Sequence, residues 1–464
     1  MKQSGIRQLA AFILAGAVTG YAAQASAAGF AVNTPSAQGM GNAFAGGGAV
    51  AEDASTVWFN PASITRLPSQ MMASAHVIEP TFEFSDRGSS QATGGPAIPL
   101  LPSAPNTDDG ATTAFVPNFY YIRKLDERFT FGLSVNAPFG LATEYDGNWK
   151  GRYHAIESEI IDLNVNPVIA YKASDTFSIG AGVSLNYIDA KLTNAIDFVA
   201  VCAGSVPAAA IAGCTGIGAG PGQGANDGFV ENEADDISYG FNFGLFYEPS
   251  DQTRYSLAYR SQINHKLEGD ATFTTPSSIH AVGALDAAVR AAFANDGVKA
   301  GVTLPDSASF SVYHRVTSSV ALMGDITWTG WSDIPELRII FDNPVTAGGP
   351  GVESLNWEDT WRYSVGANYY ASDRLTLRTG VAYDESPVGS PVFATPRLPD
   401  NDRLWVAVGA SYMVNNKISV DFGYAHEFIN DTNIARTNST GATLNGVYES
   451  DADIFSLQVS YLFD

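Results

Sequence analysis

The sequence predicts an all-β fold, a 14-stranded antiparallel transmembrane β-barrel with an N-terminal hatch (plug) inside the lumen. Three observations carry this. Short segments alternate apolar and polar residues strictly, the period of a strand with two unlike faces. Their connections alternate between short turns and long loops. Past the first residues no apolar run approaches the ~20 residues that a spanning helix needs. The composition agrees: 45% of the 464 residues are apolar and 16% charged, below the ~25% charge usual for soluble domains. A formal net charge of −23 excludes a nucleic-acid binder, because phosphate recognition needs clustered cations. Two cysteines exclude a disulfide scaffold.

Residues 1–27 read as a signal peptide. Lys2 and Arg7 precede or flank an apolar run from Leu9 to Val18, and Ala25-Ser26-Ala27 has the small-x-small form of a cleavage site. The run is too short for an uncleaved anchor, so the mature chain is expected to begin at Ala28. Residues 28–68 do not alternate and are rich in glycine, with Gly39, Gly41 and Gly46 to Gly48. They precede the first strand, so they either hang in the periplasm or fold inside the barrel. Glycine-rich backbone packs closely against other backbone, which favours a plug.

Residues 69–464 supply the barrel. Strands are expected at 70–83, 115–124, 129–138, 160–172, 177–191, 238–248, 254–267, 308–315, 320–330, 360–370, 375–384, 402–413, 418–429 and 453–463. Phe177, Ile179, Ala181, Val183, Leu185 and Tyr187 form one apolar row against Ser178, Gly180, Gly182, Ser184 and Asn186. Trp361, Tyr363, Val365 and Tyr369 repeat it, as do Ile418, Val420, Phe422 and Tyr424. The last row, Phe455, Leu457, Val459, Tyr461 and Phe463, ends one residue before the terminal Asp464. Even strand number, short turns at one rim and long loops at the other mark an outer-membrane barrel. Lipid cannot hydrogen-bond the backbone, so a sheet in a bilayer must close on itself. A secreted two-sheet domain would instead show a polar outer face and no loop asymmetry.

Several motifs then carry a resemblance: Ala28-Gly29-Phe30, Gly39-Met40-Gly41-Asn42-Ala43-Phe44, Ala51-Glu52-Asp53-Ala54-Ser55 and Asn60-Pro61-Ala62 near the start, followed by Phe139-Gly140-Leu141-Ala142-Thr143, Ala258-Tyr259-Arg260-Ser261, Asp384-Glu385-Ser386-Pro387 and Pro399-Asp400-Asn401-Asp402-Arg403. In this order they resemble the FadL family of outer-membrane transporters of long-chain fatty acids and other hydrophobic compounds. The resemblance implies a 14-stranded barrel with a hatch, in which Phe30, Asn60, Pro61 and Ala62 hold the plug shut. It also implies a third strand that bends inward at Pro138, Phe139 and Gly140 and leaves a lateral opening. Asp384 matches an acidic pocket position and is a candidate partner for the α-amino group of Ala28.

A hydrocarbon chain gains ~0.8 kcal/mol per buried CH₂, so a greasy substrate is expected to move between apolar compartments rather than through a wet pore. For extracellular capture, Ile279, Val282, Leu285, Val289 and Phe293 recur at helical spacing in one long loop. The loop from 192 to 237 is also apolar; the two either form a groove or pack on each other as a lid. Cys202 and Cys214 in that second loop lie outside the reducing cytoplasm and are expected to form one disulfide. The positions where the fatty-acid transporters of the family carry basic pocket residues hold Asn194 and Glu353, which shifts weight toward uncharged aromatic or aliphatic hydrocarbons. Arg260, Arg338 or Arg362 are replacement cations for a carboxylate.

An enzyme is not expected. A barrel lipase would need a serine–histidine pair with an orienting third group, and none of the six histidines lies in such a motif. No cofactor and no metal site are expected. The expected partners are a hydrophobic small molecule, outer-membrane lipid and the barrel-assembly machinery, around a monomer that acts by passive diffusion.

Overall fold

The computed structural model describes residues 29–463, apart from 94–95, 206–219, 225, 278–288, 345 and 350. Fourteen strands form the wall: β1 (Gln70–Asp86), β2 (Ala114–Lys124), β3 (Phe129–Asn136, then Gly140–Glu144), β4 (Glu157–Lys172), β5 (Phe177–Asp197), β6 (Asp227–Ser250), β7 (Thr253–Arg260, then Ile263–Thr274), β8 (Asp296–Leu304, then Ser307–Arg315), β9 (Val320–Thr329, then Glu336–Phe341), β10 (Gly351–Ser354, then Thr360–Tyr370), β11 (Leu375–Asp384), β12 (Arg403–Met413), β13 (Ile418–Ile429, then Thr432–Thr437) and β14 (Ala442–Leu462). Each pairs antiparallel with its chain neighbour. β14 returns to β1, from Gln70 opposite Leu462 to Asp86 opposite Gly446, so the sheet has no free edge. Tight turns at 125–128, 173–176, 251–252, 316–319, 371–374 and 414–417 occupy one rim. No helix among the described residues is long and apolar enough to cross a membrane.

The alternation resolves into outside and inside. Val183 is 57% exposed while its neighbour Ser184 is 1% exposed; Phe177, Ile179 and Leu185 point outward with Val183, and Ser178 and Asn186 inward. The greasy face meets lipid and the small polar face lines the lumen. Several strands run well beyond their expected ends. β5 and β6 stay paired as far as Asp197 opposite Asp227. The stretch expected as a loop after residue 429 is a hairpin, with Thr432–Thr437 paired against Thr443–Tyr448.

The segment ahead of β1 fills the lumen. It holds three one-turn helices, α1 (Ala37–Met40), α2 (Gly47–Val50) and α3 (Thr56–Phe59), and a 3-10 turn (Pro61–Arg66). Positive φ at Ala43, Phe44 and Ala51 stops α1 and α2 after a single turn, a conformation that costs non-glycine residues energy and persists only when surroundings enforce it. The wall enforces it. Gln458 Oε1 accepts from the Ala37 and Gln38 amides at 3.0 and 3.3 Å, and Asn42 Nδ2 donates to Asn368 Oδ1 at 2.9 Å. Inward glycines admit hatch backbone: a Cβ on Gly380 would collide with the Asn42 carbonyl, and one on Gly244 with the Asn60 side chain. α4 (Phe198–Ser205) follows β5 on the opposite rim.

Candidate functional site

One hatch asparagine bonds two wall strands at once. Asn60 is fully buried; its Nδ2 donates to Leu245 O at 2.9 Å and Ser256 Oγ at 2.6 Å on the wall, while its Oδ1 accepts from Ala62 N at 2.8 Å. Asn60 thus caps the 3-10 turn and pins it to β6 and β7 together. Pro61 fixes the first residue of that turn, where no amide is needed. Asp53 is held beside it by Ser55 and by Gln458 Nε2 at 2.8 Å, and burial pushes its carboxyl above the ordinary range.

Three spaces lie in series behind the long-loop rim. An outer groove of about 300 Å³ runs past Phe273, Phe293, Asn194, Glu353, Arg397 and Arg436. It shares Glu353 and Arg397 with an apolar cavity of about 110 Å³ walled by Leu141, Ile160, Leu267 and Leu355, with Phe30 and Trp357 on one side. A third chamber of about 160 Å³ reaches the hatch and includes Phe139, Trp331, Arg260 and Asp384. Between the last two stands a box of rings. Phe30 lies 5.7 Å from Phe139, 5.2 Å from Trp331 and 5.9 Å from Trp357. Phe30 and Trp357 face the apolar cavity, Phe139 and Trp331 the inner chamber, so this cluster partitions the lumen. Such ring pairs contribute about 0.5–1.5 kcal/mol each beyond area burial.

The mouth of the apolar cavity is charged. Glu353 lies 3.5 Å from Arg397 Nε and 3.5 Å from Arg436 Nη2, and Thr395 Oγ1 donates to it at 2.5 Å. One carboxylate therefore sits between two guanidiniums, leaving a net positive charge at the junction. Beside it, burial pushes the His154 imidazole down to about 4, despite the favourable charge of Glu353. His154 is neutral at neutral pH and its Nε2 has no hydrogen-bond partner among the described residues.

The wall itself is interrupted at β3. Asn136 pairs with Asn164 and Gly140 with Ile161, so residues 137–139 face only residues 162 and 163. The surplus residue bends the strand inward, as a bulge does. The displaced backbone pairs with the N-terminal segment instead: Val32 N donates to Pro138 O at 2.7 Å, and Gly140 N to Phe30 O at 2.9 Å. Phe139 N donates to Asp162 Oδ2 at 3.2 Å. In consequence Ala114–Ile78 and its successors on β2 ladder with β1, but β2 meets β3 only from Phe119 downward. A window in the ladder remains between Phe119–Val135 and the isolated Ala111–Thr143 bridge.

Residues 18–463 match a family described as outer membrane protein transport protein (OMPP1/FadL/TodX). The chain belongs to this family. It is 29% identical over 460 residues to a long-chain fatty acid transport protein of Escherichia coli O6:H1, covering 97% of this chain and 98% of that one. It is 30% identical over 417 residues to the protein of the same name from Salmonella typhi, covering 89% and 90%. In fold it resembles the crystal structure of a Pseudomonas aeruginosa FadL homologue, with TM-score 0.83, 24% identity and coverage of 94% and 100%. The Pseudomonas putida toluene transporter TodX follows with TM-score 0.64, 16% identity and coverage of 89% and 94%. The chain is an outer-membrane transport protein of Gram-negative type, and its relatives are transporters and channels rather than enzymes.

Within this FadL-type barrel the residues singled out from the sequence separate into groups. Phe30, Asn60, Pro61 and Ala62 lie in the hatch, and Pro138, Phe139 and Gly140 at the break in β3. The three pocket candidates do not meet: Asn194 and Glu353 line the outer groove, whereas Asp384 lines the inner chamber, 3.6 Å from Arg362 Nε. Ala28 lies outside the described residues, and the adjacent Gly29 amide donates to Asp400 Oδ2 at 2.9 Å rather than to Asp384. Ile279, Val282, Leu285 and Cys214 also lie outside them. Val289 and Phe293 are described: Phe293 packs on Phe198 at 4.7 Å and Phe273 at 5.7 Å, so the two apolar loops meet and also border the outer groove. Asp296 and Gly297, just past that stretch, open β8. Cys202 is disulfide-bonded.

Sequence reading missed Trp331 and Trp357 as ring partners of Phe30, and Arg397 and Arg436 as the cations around Glu353. Of the replacement cations, Arg338 pairs with Glu336 at 2.7 Å on the surface, while Arg260 and Arg362 line the inner chamber. The cations nearest Glu353 are instead Arg397, from the stretch after β11, and Arg436, from the second segment of β13.

Proposed function

We propose that the protein takes up long-chain fatty acids across the outer membrane by passive transfer. The outer groove captures the ligand, the apolar cavity holds its chain, and the window beside Pro138, Phe139 and Gly140 releases it sideways into the membrane. The observation that carries this reading is the apolar cavity whose mouth holds Glu353 between Arg397 and Arg436. Its wall suits a hydrocarbon chain and its mouth a carboxylate, which finds at Arg397 and Arg436 more positive charge than Glu353 neutralises. The long-chain fatty acid transport proteins among its relatives support the same substrate class. Residues 1–27 are removed as a signal peptide, 28–68 act as the hatch, and 69–464 are inserted as a monomeric barrel by the assembly machinery.

A second reading, import of uncharged aromatic or aliphatic hydrocarbons, draws on Asn194 in the groove and on the fold shared with toluene transporters. Uptake by cells lacking their own FadL-type transporter separates the two. With a labelled long-chain fatty acid and a labelled aromatic hydrocarbon, expression of this protein is expected to speed entry of the acid. Acceleration of the hydrocarbon alone would transfer the assignment to the second reading.

A further inference from the structure

The inner chamber has a mixed polar and apolar lining, and it holds a cation that no carboxylate among the described residues neutralises. Arg260 ends the first segment of β7 opposite Asn242 of β6. Its guanidinium stacks on Trp58 of the hatch, Cζ to ring centroid 3.6 Å; Nη2 donates to Trp58 O at 3.0 Å and Nη1 to Ser184 Oγ at 3.2 Å. Arginine has five N–H donors, so three remain without a partner among the described residues, and none of its contacts there is an ion pair. Asn242 points beside it. Its Oδ1 accepts from Asn166 at 3.1 Å, while its Nδ2, in a residue only 2% exposed, has no hydrogen-bond partner among the described residues.

The other charged groups of the chamber are already engaged. Asp384 lies against Arg362, and Asp325 accepts from the Ser311 and Thr327 hydroxyls. Half-buried Arg260 and buried Asn242 are thus adjacent donors with unused capacity among the described residues, in the same chamber as Pro138 and Phe139 at the break in β3. A buried polar group without a partner is costly, and so is an ionised carboxylate taken out of water without one. Bringing the two together relieves both.

We propose that the inner chamber is a second carboxylate station, in which Arg260 and Asn242 hold the ligand headgroup while its chain leaves through the window in β3. This rests on the fatty-acid reading above and adds a site to it, distinct from the Arg397–Glu353–Arg436 mouth. The station makes the barrel selective for amphiphiles at its exit as well as its entrance. A methyl ester of the same chain length needs the apolar cavity and the window but draws little from Arg260.

The test compares uptake of a labelled long-chain fatty acid and its methyl ester in cells carrying wild type, Arg260→Gln or Arg260→Lys, with heat-modifiable mobility confirming a folded barrel. Arg260→Gln is expected to slow the acid by roughly 10-fold, the loss of one charge-assisted contact, and the ester by less than about 2-fold on the same scale. Arg260→Lys, which keeps the charge, is expected to restore most of the acid uptake. Equal slowing of acid and ester by Arg260→Gln would mean that Arg260 only anchors Trp58, and would overturn the station while leaving the transport reading intact. Unchanged acid uptake in that variant would overturn it equally. A wild type that carries neither compound would remove the transport reading and the station together.

Discussion

Asn60 joins three backbone or side-chain groups that nothing else in the hatch can join, so its replacement isolates what closure costs. Asn60→Ala is expected to destabilise the seated hatch by about 1–2 kcal/mol, the cost of an N-cap and the contacts it leaves unpaired. Single-channel recordings should show more frequent brief openings than wild type, with the barrel itself unaltered. Gly380→Ala is a stricter probe, because the new methyl meets the Asn42 carbonyl, which cannot swing away as a side chain can. Overpacking of this kind costs about 1–3 kcal/mol, and the expected outcome is a folded barrel whose hatch cannot seat, read as steady current. His154 gives a pH signature. Its folded value near 4 lies below the ordinary 6.5, so the unfolded state binds more protons between those values and stability falls as pH drops from about 6.5 to about 4. Thermal unfolding of wild type and His154→Gln should diverge in that window and agree above it.

At the scale of elements, the break in β3 has a defined stoichiometry, three residues against two. Deleting Phe139 removes the surplus residue and allows β3 to continue in register, which closes the window. Hydrogen exchange should then report new protection at Asn118 and its upstream neighbours on β2, where β3 does not pair in the native protein. How legible each element was follows from what constrains it. The row from Phe177 to Tyr187 was readable because lipid on one side and a wet lumen on the other make opposite demands on successive residues. The upper part of β6 was not, because Glu231, Glu233 and Asp235 occupy positions beyond the membrane, where no lipid requires apolar side chains. Pro138 and Gly140 signalled a break, but the segment that pairs with the displaced backbone there, residues 30–32, is more than a hundred residues away. Arg397 lies in a stretch with no period to reveal it, and Arg436 in a short hairpin strand beyond the expected end of β13; the hint was a glutamate at 353 that burial would oblige to find cations.

The whole molecule is a closed barrel with an apolar lipid-facing wall, an apolar cavity behind Phe30 and an inner chamber of mixed lining at the hatch. On the proposed reading, a greasy ligand leaves that cavity by way of the inner chamber and the window in β3 for the membrane. Passive uptake with lateral release is the proposal this distribution supports, and it predicts a small steady conductance in the native protein. The most direct test is fatty-acid uptake by wild type and the Phe139 deletion, both confirmed as folded barrels in the outer membrane of cells lacking other FadL-type transporters. Lateral release predicts that the deletion still binds a labelled long-chain fatty acid but carries it at least roughly 10-fold more slowly, the equivalent of about 1.4 kcal/mol added to the barrier. Uptake by the deletion at the wild-type rate would contradict the account.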